Sequence, residues 1–226
     1  MRTRFFGAYY SLGLSPECLK LAARARRFTH FCAPLRIHFA ERVRYTRRGV
    51  NSFTSMALMS TNIQIRRANV TDLEAITAIY NEAILTTTAT FDTEPKLVDD
   101  RLPWFEAHDA RHPILVAEID GRIVGWASLS RWSDRAAYDD TAETSFYVGS
   151  ESRGRGIGRQ LKQAIIDEAT ALGFHTLIAR VAEGSNESLH LNESFGFFHV
   201  GTLKQVGRKF GRLLDVHILQ KMLREV

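Results

Sequence analysis

The run Arg153-Gly154-Arg155-Gly156-Ile157-Gly158-Arg159 constrains this chain more than any other feature. It follows a strand-patterned segment, Thr141–Val148, and opens the apolar stripe of a helix through Ile157, Leu161, Ile165 and Leu172. Glycines at alternate positions let backbone N–H groups crowd toward a ligand. The first turn of the helix adds N–H groups with no intrahelical partner and the positive end of the dipole. Together these make an anion site suited to a pyrophosphate, and Arg153, Arg155 and Arg159 can add guanidinium contacts. Three alternate glycines alone are a weak signal, and a tight turn with solvated arginines would use them too. Their place between strand and helix is what makes the signal specific. Gly158 is followed by Arg159-Gln160 rather than Lys-Ser or Lys-Thr, so the run is not a Walker A loop. A dinucleotide fingerprint needs its third glycine one residue later and sits in a first βαβ unit, whereas this turn follows an antiparallel hairpin.

The surrounding pattern predicts a strand at Ile63–Arg67 and a helix opened by a capping box, Thr71 as N-cap and Glu74 at N3, with Leu73, Ile76, Ile79 and Tyr80 on one face. Lys96–Ala110 reads as helical, with Pro103 at a boundary or a kink. Ile114–Ile119 and Arg122–Ser130 around Asp120-Gly121 form a hairpin signature. After the glycine-rich helix, stopped by Gly173, come a strand at Thr176–Val181 and a short helix from Asn186 to Phe195 stopped by Gly196. Strands near Val200–Val206 and Leu213–Met222 close the chain. The order is β-α-α-β-β-β-α-β-α-β-β, a mixed α/β (α+β) domain.

The net charge of +5 is unevenly spread over the 226 residues. Residues 1–60 hold eleven Lys and Arg against Glu17 and Glu41, a net of +9, leaving −4 for residues 61–226. Nucleic acid is therefore not expected as a partner of the body. Residues 1–58 form a basic extension with three readings. Translation starting at Met56 or Met59 is preferred; an arginine-rich organellar leader and a nucleic-acid-binding arm stay open. The extension is expected to be disordered or not made, and no chemistry is assigned to it. The chain has only Cys18 and Cys32, so a disulfide scaffold or a cysteine zinc site is excluded from the body. No apolar run is long enough to cross a membrane. A cytoplasmic location is expected, or an organellar one if the leader is real. No His-Glu-x-x-His spacing exists, and no metal is expected.

At this point the sequence resembles the GNAT superfamily of N-acetyltransferases, and within it the phosphinothricin and methionine sulfone acetyltransferases. The resemblance runs over residues 63–222. It is carried by Ile65-Arg66-Arg67-Ala68, Thr90-Phe91-Asp92-Thr93-Glu94-Pro95, Ile114-Leu115-Val116-Ala117-Glu118, Thr141 to Val148, the glycine-rich turn, Asn186 to Phe197, and Gly207-Arg208-Lys209-Phe210-Gly211. It implies one acetyltransferase domain at residues 59–226, with a mostly antiparallel twisted sheet flanked by helices. It also implies a V-shaped gap where the strand of Phe146, Tyr147 and Val148 splays from Thr176–Val181. Acetyl-CoA would be the cosubstrate, its pyrophosphate on Arg153–Arg159 and its pantetheine arm along the open strand edge. A homodimer is implied as well.

Acetylation of an amine needs a base, because free amines are mostly protonated at neutral pH. Glu143 is the candidate, and the matching glutamate of the resembled family has that role. A buried site would suit it to the task; an exposed strand glutamate is the alternative. Tyr147 or Val148 would offer a backbone N–H to the carbonyl oxygen. At the position where related enzymes often place a Tyr or His acid, this chain has Asn192, which has no acidic proton to give. Asn186 matches a cofactor-binding position, or is a plain helix N-cap, and His190 is an ordinary surface histidine. The acceptor pocket is expected to use Phe91, Arg131, Trp132, Arg135, Tyr138, Glu143, Thr144 and Ser145, with an arginine pairing the carboxylate of an amino-acid-like substrate. Arg208 and Lys209 reach this pocket or a dimer partner, or are simply solvated.

Overall fold

The computed structural model describes residues 62–224, and the expectations for residues 1–58 lie outside them. Seven strands form one sheet: β1 (Gln64–Arg67), β2 (Ile114–Ile119), β3 (Arg122–Arg131), β4 (Thr141–Val148), β5 (Thr176–Ala182), β6 (Phe198–Lys209) and β7 (Arg212–Met222). Their spatial order is β1-β2-β3-β4-β5-β7-β6. Only the β4–β5 pair is parallel. The helices are α1 (Leu73–Thr86), α2 (Val98–Glu106), α3 (Ile157–Ala171) and α4 (Asn186–Ser194). The element order and the mixed sheet are those expected from the sequence.

Strand alternation sends successive side chains to opposite faces. In β2, Leu115 and Ala117 face α3, where Ile157, Leu161, Ile165 and Ala169 complete the main core with Ala127, Leu129 and Leu177. Ile114 and Val116 face the other way, onto Ile76 and Trp126, with Tyr80, Trp104 and Tyr147 packed around them. The sheet thus lies between α3 on one face and α1 with α2 on the other. The β2–β3 turn is as its Asp-Gly predicts, with φ of 49° at Asp120 and 76° at Gly121.

Three local expectations need correction. The capping box lies two residues earlier than Thr71 and Glu74. Asn69 caps a single 3-10 turn, Val70–Asp72, that leads into α1: it accepts from Thr71 N at 3.0 Å, while Asp72 accepts from Asn69 N at 2.8 Å. Asp72 is also held by Arg66 of β1, six residues earlier, at 2.7 Å, a contact that the capping pattern does not include. The second helix is shorter than Lys96–Ala110, spanning Val98–Glu106, and Pro103 stands inside it. Finally, β6 begins at Phe198 and runs to Lys209, with register shifts at His199/Gly201 and Leu203/Gly207 that hide its length from a period-2 reading.

Candidate active site

β4 and β5 pair only through Thr141↔Thr176, Ala142↔Leu177 and Glu143↔Ile178. β4 continues to Val148 against β3, and β5 continues to Ala182 against β7. Beyond Glu143 the two strands therefore part, and the β5-facing edge of Thr144–Val148 has no strand partner. A cavity of about 890 Å³ occupies the opening, within the range of small-molecule sites. Thr144, Ser145, Phe146, Tyr147 and Val148 line one wall, and Ala179 to Ala182 the other.

The glycine-rich turn closes one end. Gly154 and Gly156 have φ of 73° and 80°, a conformation that other residues adopt only with strain. Gly156 is the N-cap of α3 and supplies no side-chain hydrogen bond, so the first-turn N–H groups of this 15-residue helix have no capping side chain. Arg153, Gly154, Gly156, Ile157 and Gly158 line the cavity; Arg155 and Arg159 lie outside the lining. Arg153 donates from Nε to Val148 O at 3.0 Å and lies 3.6 Å from Glu82 Oε1, which ties the turn to α1. Arg159 reaches Ser194 Oγ at 3.4 Å.

The α4 side supplies Ser185, Glu187, Ser188, Leu191 and Asn192. Asn186 is exposed and outside the lining. Asn192 is 1 % exposed. Its Nδ2 donates to Ser188 O at 2.8 Å, while its buried Oδ1 has no partner among the described residues. A buried acceptor left unpaired is costly unless a ligand fills it. This orphan oxygen, the uncapped helix amides and the open β4 edge together suit an elongated molecule with amide groups and a phosphate end.

Glu143 lies at the last paired register before the opening, and its side chain is 13 % exposed. Alternation puts it with Ser145 on the face of Tyr147, away from α3. Both of its oxygens are held by Arg180 of β5, Oε1 by Nε at 2.6 Å and Oε2 by Nη2 at 2.8 Å. Behind this face, burial pushes the Tyr147 phenol up, and its hydroxyl donates to Ala89 O at 3.3 Å. Arg101 lies beneath, stacked 3.6 Å over Trp104 and 4.5 Å over Tyr80.

Of the other expected acceptor residues, Thr144 and Ser145 line this cavity, whereas Phe91, Arg131, Trp132, Arg135 and Tyr138 lie outside its lining, as does Glu143 itself. Arg131 pairs with Asp109 at 3.3 Å. Trp132, Arg135 and Tyr138 lie on the β3–β4 connection, where Tyr138 is exposed. Phe91 packs against Gly207 of β6, so closely that a Cβ there would fall 2.1 Å from its ring. Lys209 is buried and donates to Thr90 O at 2.7 Å, so it ties β6 to the segment after α1 rather than facing solvent.

Sequence reading missed Arg180 and Lys162. The signal for Arg180 is one charge inside the apolar strand Thr176-Leu177-Ile178-Ala179-Arg180-Val181-Ala182. Lys162 shares an i, i+4, i+7 row with Ile166 and Ala169, which places it on the buried side of α3. It is fully buried and donates to Thr144 Oγ1 at 2.7 Å. Among the described residues, no cluster of His, Cys, Asp and Glu could hold a metal, and no helix is long and apolar enough to cross a membrane.

The sequence profile of the Acetyltransferase (GNAT) family matches residues 76–197. The chain is 40% identical to the L-amino acid N-acyltransferase MnaT of Escherichia coli, over 72% of this chain and 95% of that protein. It is 41% identical to the L-methionine sulfoximine/L-methionine sulfone acetyltransferase of Pseudomonas paraeruginosa, over 69% of this chain and 92% of that one. A GNAT superfamily phosphinothricin acetyltransferase from Sinorhizobium meliloti, solved in complex with AcCoA, superposes with a TM-score of 0.68 at 33% identity, covering 71% of this chain and 88% of that chain. With the splayed β4–β5 pair opening beside the uncapped N-terminus of α3, these likenesses place the chain in the GNAT family of N-acetyltransferases.

Proposed function

We propose that this chain acetylates the α-amine of a small amino-acid-like compound, of the methionine sulfone, methionine sulfoximine or phosphinothricin type, with acetyl-CoA as cosubstrate and Glu143 as general base. The observation that carries the reading is the position of Glu143. Its carboxylate stands where β4 and β5 part, on the face opposite α3. The pyrophosphate end would rest on Gly154–Gly158 at the α3 N-terminus, on the other face. An acceptor entering beside Glu143 then meets the acyl group between the strands.

Acetyl-CoA supplies a thioester whose carbonyl carbon accepts the amine. Glu143 takes the proton that the attacking nitrogen must shed, directly or through one water. The nitrogen forms its bond to carbon, the C–S bond breaks, and the departing thiolate gains a proton from water. A backbone N–H of Tyr147 or Val148 on the open β4 edge would hold the carbonyl oxygen. Asn192 has no acidic proton, so it positions the pantetheine end by accepting with Oδ1.

Outer strand β6 exposes Phe198, Val200, Leu203 and Val206. An apolar edge of this kind is normally covered, and we propose that a second copy of the chain covers it.

The test is thiol release from acetyl-CoA by the purified full chain, with methionine sulfone, methionine sulfoximine, phosphinothricin, free methionine, spermidine and a short peptide as acceptors. Turnover greatest on the sulfone-type amino acids is expected. Turnover only on the peptide or polyamine would overturn the substrate class, and binding of acetyl-CoA without turnover on any amine would overturn the enzyme reading.

A further inference from the structure

The geometry points to Arg180 as the anchor for the carboxylate of the acceptor amino acid. This deepens the preceding reading and rests on it.

A guanidinium offers five N–H donors along two forked edges. Glu143 occupies one edge, through Nε at 2.6 Å and Nη2 at 2.8 Å. The other edge, Nη1 with the second N–H of Nη2, makes no hydrogen bond among the described residues. Arg180 lines the cavity, and its side chain is 56 % exposed while that of Glu143 is 13 % exposed. Arg180 is thus the member of the pair that lines the cavity, and the Glu143 carboxylate lies behind it, outside the lining.

An ordinary surface ion pair would have its partners elsewhere on the sheet or both in solvent, and would contribute little. Here the pair bridges the mouth of the splay. Glu143 is the last residue of β4 registered with β5, at Ile178, and Arg180 lies two residues farther along β5 on the same face. A carboxylate on the open edge of Arg180 would lie beside Glu143. An α-amino acid carries its amine two bonds from its carboxylate carbon. The same molecule can therefore give its carboxylate to Arg180 and its amine to Glu143. The Glu143–Arg180 pair is a charge complement to a zwitterion.

The other candidates do not offer this. Of the other arginines in the lining, Arg153 is tied to Val148 O and Glu82, and Arg212 lies 3.6 Å from Glu183; Arg131 is engaged with Asp109 at 3.3 Å, and Arg135 makes no contact with Glu143 among the described residues. Arg101 is buried under Tyr80 and Trp104 and also outside the lining. Arg180 would therefore select free α-amino acids against amines without a neighbouring carboxylate, including peptide N-termini.

The experiment compares L-methionine sulfone with its primary amide and with 3-(methylsulfonyl)propylamine, which lacks the carboxylate, for the wild-type chain, Arg180→Gln and Arg180→Lys. The wild type is expected to prefer the acid at least tenfold in kcat/KM. Arg180→Gln should lose that preference: loss of the partner of Glu143 lowers turnover of both acceptors, and the acid falls at least tenfold further than the amide in kcat/KM, through a higher KM for the acid. Arg180→Lys should fall between, because it keeps the charge and loses the fork. Turnover of the acid by the wild type with its preference unchanged in Arg180→Gln would overturn the role of Arg180 and leave the substrate class standing. No turnover of any free amino acid would overturn both. A thermal melt checks the fold of each variant, since Arg180→Gln leaves the 13 % exposed Glu143 carboxylate without its partner while Arg180→Lys keeps a cation beside it. A parallel fall of both acceptors in Arg180→Gln would also count against the assignment, since it would place Arg180 in service of Glu143 alone.

Discussion

Lys162 donates from Nζ to Thr144 Oγ1 at 2.7 Å from a position with no accessible surface. Its nearest aromatic face is Phe197, 4.0 Å from Nζ, and no ion pair with a carboxylate is formed among the described residues. Burial, with the charge of Lys221 added, brings the ammonium down to about 7 from 10.5. The pair joins α3 to the β4 wall of the cavity, one residue beyond Glu143.

The sign of the pH effect follows from that depression. Between about 7 and 10.5 the unfolded chain holds a proton that the folded chain does not, so stability rises with pH across this window. Below about 7 both states are charged, and the full cost of burying the ammonium is present. Lys162→Met keeps the apolar stem. It should raise the melting temperature by several degrees near pH 6. The gain should shrink toward pH 10 and reverse there by about 1 kcal/mol, the worth of the lost hydrogen bond to Thr144. Melting curves at a series of pH values check this; a gain independent of pH would contradict it.

Asn192→Leu separates the ligand role of the orphan Oδ1 from a structural one. The substitution removes a buried unpaired acceptor along with the Nδ2 bond to Ser188 O, so stability should stay within about 1 kcal/mol of the wild type. If Oδ1 accepts from the cosubstrate, KM for acetyl-CoA should rise about 3- to 10-fold, with kcat reduced less. Steady-state kinetics at saturating acceptor, beside a thermal melt, read both effects. An unchanged KM would remove Asn192 from the cosubstrate site.

Gly207→Ala forces a Cβ into the Phe91 ring, against Cδ2, Cε2 and Cζ, so the ring as a whole must yield. A loss of roughly 1–3 kcal/mol is expected from overpacking. Phe91→Ala in the same chain should recover part of it, because the two share one contact. A double-mutant cycle by denaturant unfolding measures the coupling, and simple additivity would contradict the packing.

The element order along the chain, the hairpin and the α3 entry were legible because each rests on local chemistry: Asp120-Gly121 demands left-handed φ, and Gly154 and Gly156 do the same before an apolar stripe. The cap at Asn69 was not, because Asn69…Asp72 and Thr71…Glu74 both fit the capping pattern and only the first pairs with Arg66 of β1. At the site, the β4 wall and the glycine turn could be read from their run in sequence. The partner of Glu143 could not, since Arg180 is 37 residues away and meets it only through the parallel register of β4 and β5. Trp132 and Arg135 were drawn in by residue type, and the fold puts them on the β3–β4 connection outside the cavity lining.

The most direct measurement is the initial rate of thiol release from acetyl-CoA with L-methionine sulfone, for the full-length chain and Glu143→Gln. The account predicts turnover that depends on the amino acid and falls about 10²- to 10³-fold in the variant, with acetyl-CoA binding retained. Equal rates in the two proteins would contradict Glu143 as the base at the β4–β5 opening.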